Sequence, residues 1–401
     1  MKGNKKEVLV GLVLILFLVL LIIVAVESYL FKKNYASADF GNIQGQAVKG
    51  YIVRNFAGKE LVVDDGTVTI GIITPLSTDH YFIGESSQKG FDLATERINA
   101  EGTIQNKKIQ LVYRDSGCDA EKALQAGKVL AQNTGVQFII GADCYGYAES
   151  YQRGDEELVF LIAPPDQAVH ADHFFSFEPT LAQENGFFWD NIRMKPSTMS
   201  IVFPDDEYGF AYKDALENRY TGRVLSSFAY PLSCQDFNAL AEKTAARDPE
   251  SLFIIGENKE QLKKIIPALR NAGYMNQVYT NLEIDNDELA SMGEDRFAFE
   301  GLVIMTSFDL YSKSTKAQEF VSAYQKRYGT NPDSTASQAY DSLSILAEMI
   351  QQYGTETNQI SEIMYNIRNY EGVSGLMTFS RDGIERTYYL KTIRNGKVED
   401  Y

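Results

Sequence analysis

The sequence predicts an α/β protein in which two parallel sheets, each covered by helices, gather their loops around a cleft. Three observations carry that prediction. Short β-branched apolar runs recur along the chain and suit strands buried on both faces of a parallel sheet. Each run breaks into a polar loop, and a stretch with helical apolar spacing follows, which is the βαβ pattern. The composition, 44% hydrophobic and 23% charged over 401 residues, is that of a globular chain long enough for more than one domain.

The first unit is Val68-Thr69-Ile70-Gly71-Ile72-Ile73, a polar loop from Thr74 to Gly84, and a helix with Phe91, Ala94 and Ile98 on one face. Gly90 gives that helix a close-packing point. Lys108–Tyr113, Val136–Gly141 and Val159–Ala163 are the next strands. Their loops are Arg114–Asp119, Ala142–Gly146 and Pro164–Gln167, with helices over Ala120–Asn133 and Tyr147–Gly154 between them. In the second half, Met199–Phe203, Val224–Tyr230, Leu252–Gly256 and Val278–Asn281 read as strands of another parallel sheet. Helices over about Phe210–Arg219, Phe237–Arg247 and Lys259–Ala272 intervene. Leu302–Met305 and helices over Thr315–Tyr328 and Ser334–Tyr353 follow, and residues 376–393 alternate around Ser380–Gly383 as a hairpin does. Ligands of open parallel sheets sit where loops leave the carboxyl ends of the strands, so these loops are the candidate site.

The N-terminus is basic over Met1–Lys6, and Val8–Val26 is an uncharged, almost wholly apolar run of 19 residues. At about 1.5 Å per residue it spans roughly 28 Å, close to a bilayer core of about 30 Å. The preceding lysines place the N-terminus inside and the bulk of the chain outside. Residues 1–33 are thus expected to be a membrane anchor or signal segment, and 34–66 a juxtamembrane linker. Ala36-Ser37-Ala38 has the form of a cleavage site, but it lies well beyond the apolar run, so a retained single-pass anchor is favoured over a cleaved signal. No signalling domain is expected ahead of the run.

The formal net charge of -16 leaves no basic surplus for nucleic acid. There is no G-x-S-x-G elbow, P-loop or G-x-G-x-x-G, so no nucleotide cofactor or hydrolase nucleophile is implied. His80, His170 and His173 are too scattered for a catalytic case. The pair His170 and His173 reads as a solvated surface pair, and no metal site is expected. Asp205-Asp206 reads as a loop pair and not as an acid/base dyad. Cys118 and Cys144 each follow a strand. In an exported chain a disulfide between them is expected, two buried thiols being the alternative. Cys234 is left as a free thiol, with an intermolecular pair as the alternative.

An ordered series of short motifs carries a family resemblance. It runs through Pro75-Leu76-Ser77 with Gly84, Ile98-Asn99-Ala100-Glu101-Gly102, Asp115-Ser116-Gly117-Cys118-Asp119 and Ile140-Gly141-Ala142-Asp143-Cys144. It continues through Asp205-Asp206-Glu207-Tyr208-Gly209, Gln235-Asp236-Phe237, Leu269-Arg270-Asn271-Ala272-Gly273 and Gly375-Leu376-Met377-Thr378-Phe379 with Asp382-Gly383. Over about residues 67–395 the chain resembles the extracellular substrate-binding proteins of branched-chain amino-acid ABC transporters, of type I periplasmic-binding-protein fold. The resemblance implies two Rossmann-like lobes joined by three hinge crossovers. Lobe one is expected at 67–180 and 306–375, lobe two at 181–305 and 376–401. The two cysteines fall where that family commonly has its disulfide.

It further implies capture of a small amino-acid-like ligand by hinge closure, for delivery to an ABC permease, with no covalent chemistry. Its binding residues carry over to Ser77, Tyr145, Pro165, Gln167, Tyr208 and Glu283, with Asp166 facing the cleft if that loop is shifted by one. Plainer alternatives are a turn role for Ser77 and wall packing for Tyr208. Tyr145 and Pro165 stand where the family has small, donor-rich residues, and Asp143 and Asp166 add negative charge. A cationic, amide-like or aromatic ligand therefore suits the site better than an aliphatic amino acid. A ligand sensor or scaffold of the same fold is the first alternative. An exported α/β enzyme is the second, and it lacks an identifiable nucleophile–base pair.

Overall fold

The structure, a computed structural model, describes residues 66–102, 104–131, 136–141, 144–145, 158–161, 174–381 and 383–401. The apolar run Val8–Val26, Asp143, the expected helix at 147–154, the residues Pro165, Asp166 and Gln167, and the pair His170 and His173 lie outside them. Among the described residues no helix is long and apolar enough to cross a membrane.

Along the chain come β1 (Thr67–Thr74), α1 (Tyr81–Glu101), β2 (Lys108–Asp115), α2 (Ala120–Ala131), β3 (Val136–Gly141), β4 (Leu158–Leu161) and β5 (Phe174–Ser176). These strands form one parallel sheet in the order β2-β1-β3-β4-β5. Next are α3 (Leu181–Asn191), β6 (Thr198–Pro204), α4 (Glu207–Arg219), β7 (Arg223–Tyr230), α5 (Asn238–Ala245), β8 (Ser251–Ile254), α6 (Lys259–Asn271) and β9 (Gln277–Thr280). The short α7 (Asn286–Ser291) and a 3₁₀ turn, Gly293–Phe299, lead to β10 (Val303–Thr306). Then come α8 (Thr315–Tyr328), α9 (Ser334–Tyr353), α10 (Thr357–Met364), β11 (Tyr370–Gly372), β12 (Gly375–Ser380), β13 (Gly383–Arg386), β14 (Tyr389–Arg394) and β15 (Lys397–Asp400).

The second sheet runs β15-β14-β10-β9-β8-β6-β7. It is mixed and not wholly parallel as expected, because β14 pairs antiparallel with β10 and β15 with β14. Strand alternation divides each core by faces. In β1, Val68, Ile70 and Ile72 enter one apolar cluster with α1 and α9, while Ile73 enters another with α2. In β6, Met199, Ile201 and Phe203 face one way and Val202 the other. Gly90 does have the expected packing role, since a Cβ there would lie 2.1 Å from the carbonyl oxygen of Ala336 on α9.

Two helices that supply cleft residues differ from expectation. Helix α4 starts at Glu207 and not near Phe210, because Asp206 caps it by accepting from the Gly209 amide at 2.7 Å. Helix α3 was not anticipated, although Thr180 and Gln183 form a full capping box at its start. The hairpin also shifts lobe. Met377, Phe379 and Ile384 are buried in the first core, with the Phe177 and Phe379 rings 5.2 Å apart. Residues 376–386 therefore pack with the first lobe, and only β14 and β15 return to the second. Buried Asp341 on α9 holds the β11–β12 turn, accepting from the Val373 and Ser374 amides at 2.7 and 2.9 Å.

The chain passes between the lobes three times, at 177–180, 306–308 and 386–388, and one buried ion pair ties the passages together. Arg386 Nη1 donates to Glu178 Oε1 at 2.8 Å and to the Phe177 carbonyl at 2.7 Å, and Nη2 donates to the Ser307 carbonyl at 3.2 Å. The side chains are 1% and 9% exposed. Tyr388 donates to the other Glu178 oxygen at 2.6 Å, and Gln338 reaches both Glu178 and Ser307.

Cys118 and Cys144 form the expected disulfide, joining the loops after β2 and β3, and Cys234 is free. With its cysteines 26 positions apart, the bridge contributes about 3.5 kcal/mol in the chain-entropy model. Replacing both cysteines by serine is expected to cost about that much in chemical denaturation, and an unchanged midpoint would remove this role. Removing one member of the Glu178–Arg386 pair, as in Glu178→Gln or Arg386→Met, is expected to cost about 3–5 kcal/mol because the other charge stays buried. The double variant should lose less than the sum of the single losses, and strict additivity in a double-mutant cycle would contradict the coupling.

Candidate functional site

Between the lobes lies a cleft of about 700 Å³. Helix α1 and the start of α9 supply one wall, including Ser86, Lys89 and Asp333. Loops after β8 and β9 supply the other, including Glu257, Asn281 and Glu283. Glu178, Thr306, Ser307 and Tyr388 of the passages form its floor, so the hinge network is part of the cleft lining.

Of the residues carried over from the resemblance, Tyr208 and Glu283 line this cleft. The Tyr208 hydroxyl accepts from Asn281 Nδ2 at 2.6 Å, and burial raises its pKa well above the usual tyrosine range, so it keeps its own proton to donate. Glu283 accepts from the Ser334 amide at 3.0 Å, at the first turn of α9, and from the Thr306 hydroxyl. Burial and the nearby Asp333 push its carboxyl up to about 7. Tyr145 reaches across the gap, its ring 6.0 Å from that of Tyr208 and edge-on to it. Tyr208 in turn meets Tyr212 at 5.6 Å.

Ser77 is placed differently. Its hydroxyl donates to Asp115 Oδ2 at 2.6 Å, while Asp115 Oδ1 accepts from the Leu76 and Gly117 amides at 2.8 and 2.9 Å. The residue staples two loops of the first lobe, which is its turn role. Burial opposes ionisation of Asp115, but these hydrogen bonds outweigh it and hold the carboxyl below the usual range. Pro165, Asp166 and Gln167 cannot be compared, as they lie outside the described residues.

Two glutamates of the cleft were not anticipated. Glu184 accepts from the Tyr212 hydroxyl at 2.8 Å, and burial together with Glu178 pushes its carboxyl up to about 8. Glu257 is likewise pushed up to about 8, by burial and by Asp206. Glu184 sits on the unanticipated α3. Glu257 lies in the loop after β8, the kind of post-strand loop in which ligands of open parallel sheets sit.

The charge balance is the main chemical property of the site. The lysines on its walls are already paired, Lys89 with Glu85 and Lys259 with Glu288, each at 2.8 Å. Glu184 and Glu283 have no ion-pair partner among the described residues; hydroxyls and an amide meet them instead. Half-buried carboxylates without a cation favour an incoming positive charge or a proton.

Known proteins share this architecture. A model of the family described as periplasmic binding protein matches residues 67–397. A "Leu/Ile/Val-binding protein homolog 3" of Brucella melitensis is 21% identical over 329 residues, covering 79% of this chain and 88% of the relative. Among solved structures, the branched-chain amino acid transporter substrate binding protein LivJ from Streptococcus pneumoniae, in complex with isoleucine, superposes with a TM-score of 0.71 at 20% identity. The match covers 83% of this chain and 98% of that one. A type 1 periplasmic binding protein from Bordetella pertussis gives 0.67 at 20% identity, covering 84% and 100%. The two lobes, the three passages and the interlobe cleft thus have the type I α/β fold, and this chain belongs to the periplasmic binding protein family.

Proposed function

We propose that this protein captures a small, positively charged, amino-acid-like solute between its lobes and presents it to an ABC permease. The observation that carries the reading is the surplus of carboxylates in the cleft. Glu283 is the acceptor for the solute's ammonium group, with Tyr208 beside it and Tyr145 closing over from the opposite lobe. Glu184 adds a second carboxyl deeper in the cleft, which ionises as a cation displaces its proton. A solute touching both lobes stabilises their closed arrangement, and no covalent step is involved. The relatives named for leucine, isoleucine and valine support the transport context, and the glutamates without an ion-pair partner among the described residues support a cation as the solute. Pro165, Asp166 and Gln167 are assigned to the same site on the resemblance alone.

A panel of arginine, lysine, spermidine, leucine and benzoate, screened against the purified full chain by thermal shift, tests the reading. At 100 times its dissociation constant, a solute adds about 2.7 kcal/mol of stability. Arginine, lysine or spermidine is expected to shift the midpoint, and Glu283→Gln or Tyr208→Ala to abolish the shift. A response to leucine alone would overturn the preference for a cation, and silence across the panel would overturn capture.

The raised carboxyls also fix a pH dependence. Folded Glu184 and Glu283 hold protons more tightly than in the unfolded chain, with values of about 8 and about 7 against a usual 4.5. Their contribution to stability is full below about 4.5 and is lost as pH rises through about 7 to 8. A cation must displace these protons, so its affinity rises across the same window. Binding that weakens from pH 6 to pH 8.5 would contradict this assignment.

Val8–Val26 is assigned as a retained anchor that keeps the binding region on the outer face of the cell membrane. Carbonate-washed membranes are expected to retain the full chain and to release a variant lacking residues 2–33. Recovery of a shortened chain in the soluble fraction would instead show cleavage.

A further inference from the structure

Sequence spacing does not group His80 with Asp206 or Glu257, but the fold does. His80 lies in the first lobe, immediately before α1. Asp206 caps α4 in the second lobe, and Glu257 follows β8 there. One potential ligand atom from each lies within 4.8 Å of the other two. His80 Nε2 is 3.6 Å from Glu257 Oε2, with side chains 20% and 15% exposed. Asp206 spends Oδ1 on the Gly209 amide, while its Oδ2 is shut off from solvent and has no hydrogen-bond partner among the described residues. Two carboxylates held this close repel one another, and a buried carboxylate oxygen without a donor is unfavourable unless a cation meets it.

We propose that His80, Asp206 and Glu257 form a site for a divalent metal ion of the zinc type that joins the two lobes. One imidazole nitrogen and two carboxylate oxygens are a donor set suited to such an ion. Three protein ligands leave a further coordination position for water or a solute atom. Because the imidazole comes from one lobe and both carboxylates from the other, the complete set exists only when the lobes are together. The ion therefore latches closure, and by linkage it raises the affinity of any solute that favours the closed state. The site does not include Glu283 or Glu184, so it stands whatever solute the cleft holds.

The test uses the full chain stripped with a chelator and titrated with Zn²⁺ alone by calorimetry, then with Co²⁺ by visible absorption. One equivalent of Zn²⁺ is expected to bind, and Co²⁺ to develop ligand-field bands of a nitrogen–oxygen site. His80→Ala and Glu257→Gln should each weaken binding by at least about tenfold, the loss that even an outer-shell change produces. Glu362→Gln, an exposed change on α10, should leave it unchanged. Both test variants spare the Asp206 cap, and circular dichroism checks that they fold. No stoichiometric binding would overturn the proposal. So would Zn²⁺ binding that survives both substitutions, which would place the ion elsewhere, for example at Cys234.

Discussion

The Glu178–Arg386 pair is the constraint on which the rest of the structure depends. Two lobes joined by three separate passages have no single covalent pivot, so something must hold the passages in register. Arg386, on the third passage, does this by donating to Phe177 and Glu178 on the first and to Ser307 on the second. A planar guanidinium with several donors in fixed directions suits this task better than a lysine ammonium. Glu178 is satisfied from the other side by Tyr388 and Gln338, so its burial is supported by hydrogen bonds as well as by charge. In the proposed capture, one lobe rotates about this floor while the bridge keeps the passages together.

The same geometry sets the electrostatics of the cleft. Burying one matched pair in the floor leaves the glutamates around it without a cation. Arg386 is committed to the passages, and the wall lysines are committed to Glu85 and Glu288. Glu184 and Glu283 then hold protons near neutrality in the ligand-free protein, where ordinary carboxyls would not. In the proposed function, a cationic solute relieves that condition when it enters. The hydroxyls of Tyr208 and Thr306 and the N-terminal turn of α9 supply directional partners around the charge.

Much of this fold was legible in the sequence. The buried strands β1, β2, β3, β6 and β8 are short apolar runs followed by polar loops, and sheet geometry dictates that pattern. The disulfide was legible through the cysteine-bearing loops, and Tyr208 and Glu283, taken from the resemblance, both line the cleft. The antiparallel β14 and β15 were not, because pairing direction depends on where the third passage delivers the chain and leaves no local signature. The hairpin's lobe was misassigned for the same reason. Its alternation shows a strand pair, but only the contact of Phe379 with Phe177 shows which core it enters. Ser77 had the right residue type in the right loop, and Asp115 takes its hydroxyl. Glu184 was hidden because α3 was, although Thr180 and Gln183 signalled its start. His80, Asp206 and Glu257 are far apart in the chain, and only the approach of the lobes makes them neighbours.

The measurement that bears most directly on the account is a crystal structure of the full chain grown with saturating arginine. The account expects arginine between the lobes, its α-ammonium within hydrogen-bond distance of the Glu283 carboxylate, Tyr208 against it, and Arg386 still bridging Glu178 and Ser307. Arginine elsewhere on the surface, or in the cleft with its α-carboxylate turned toward Glu283, would contradict it.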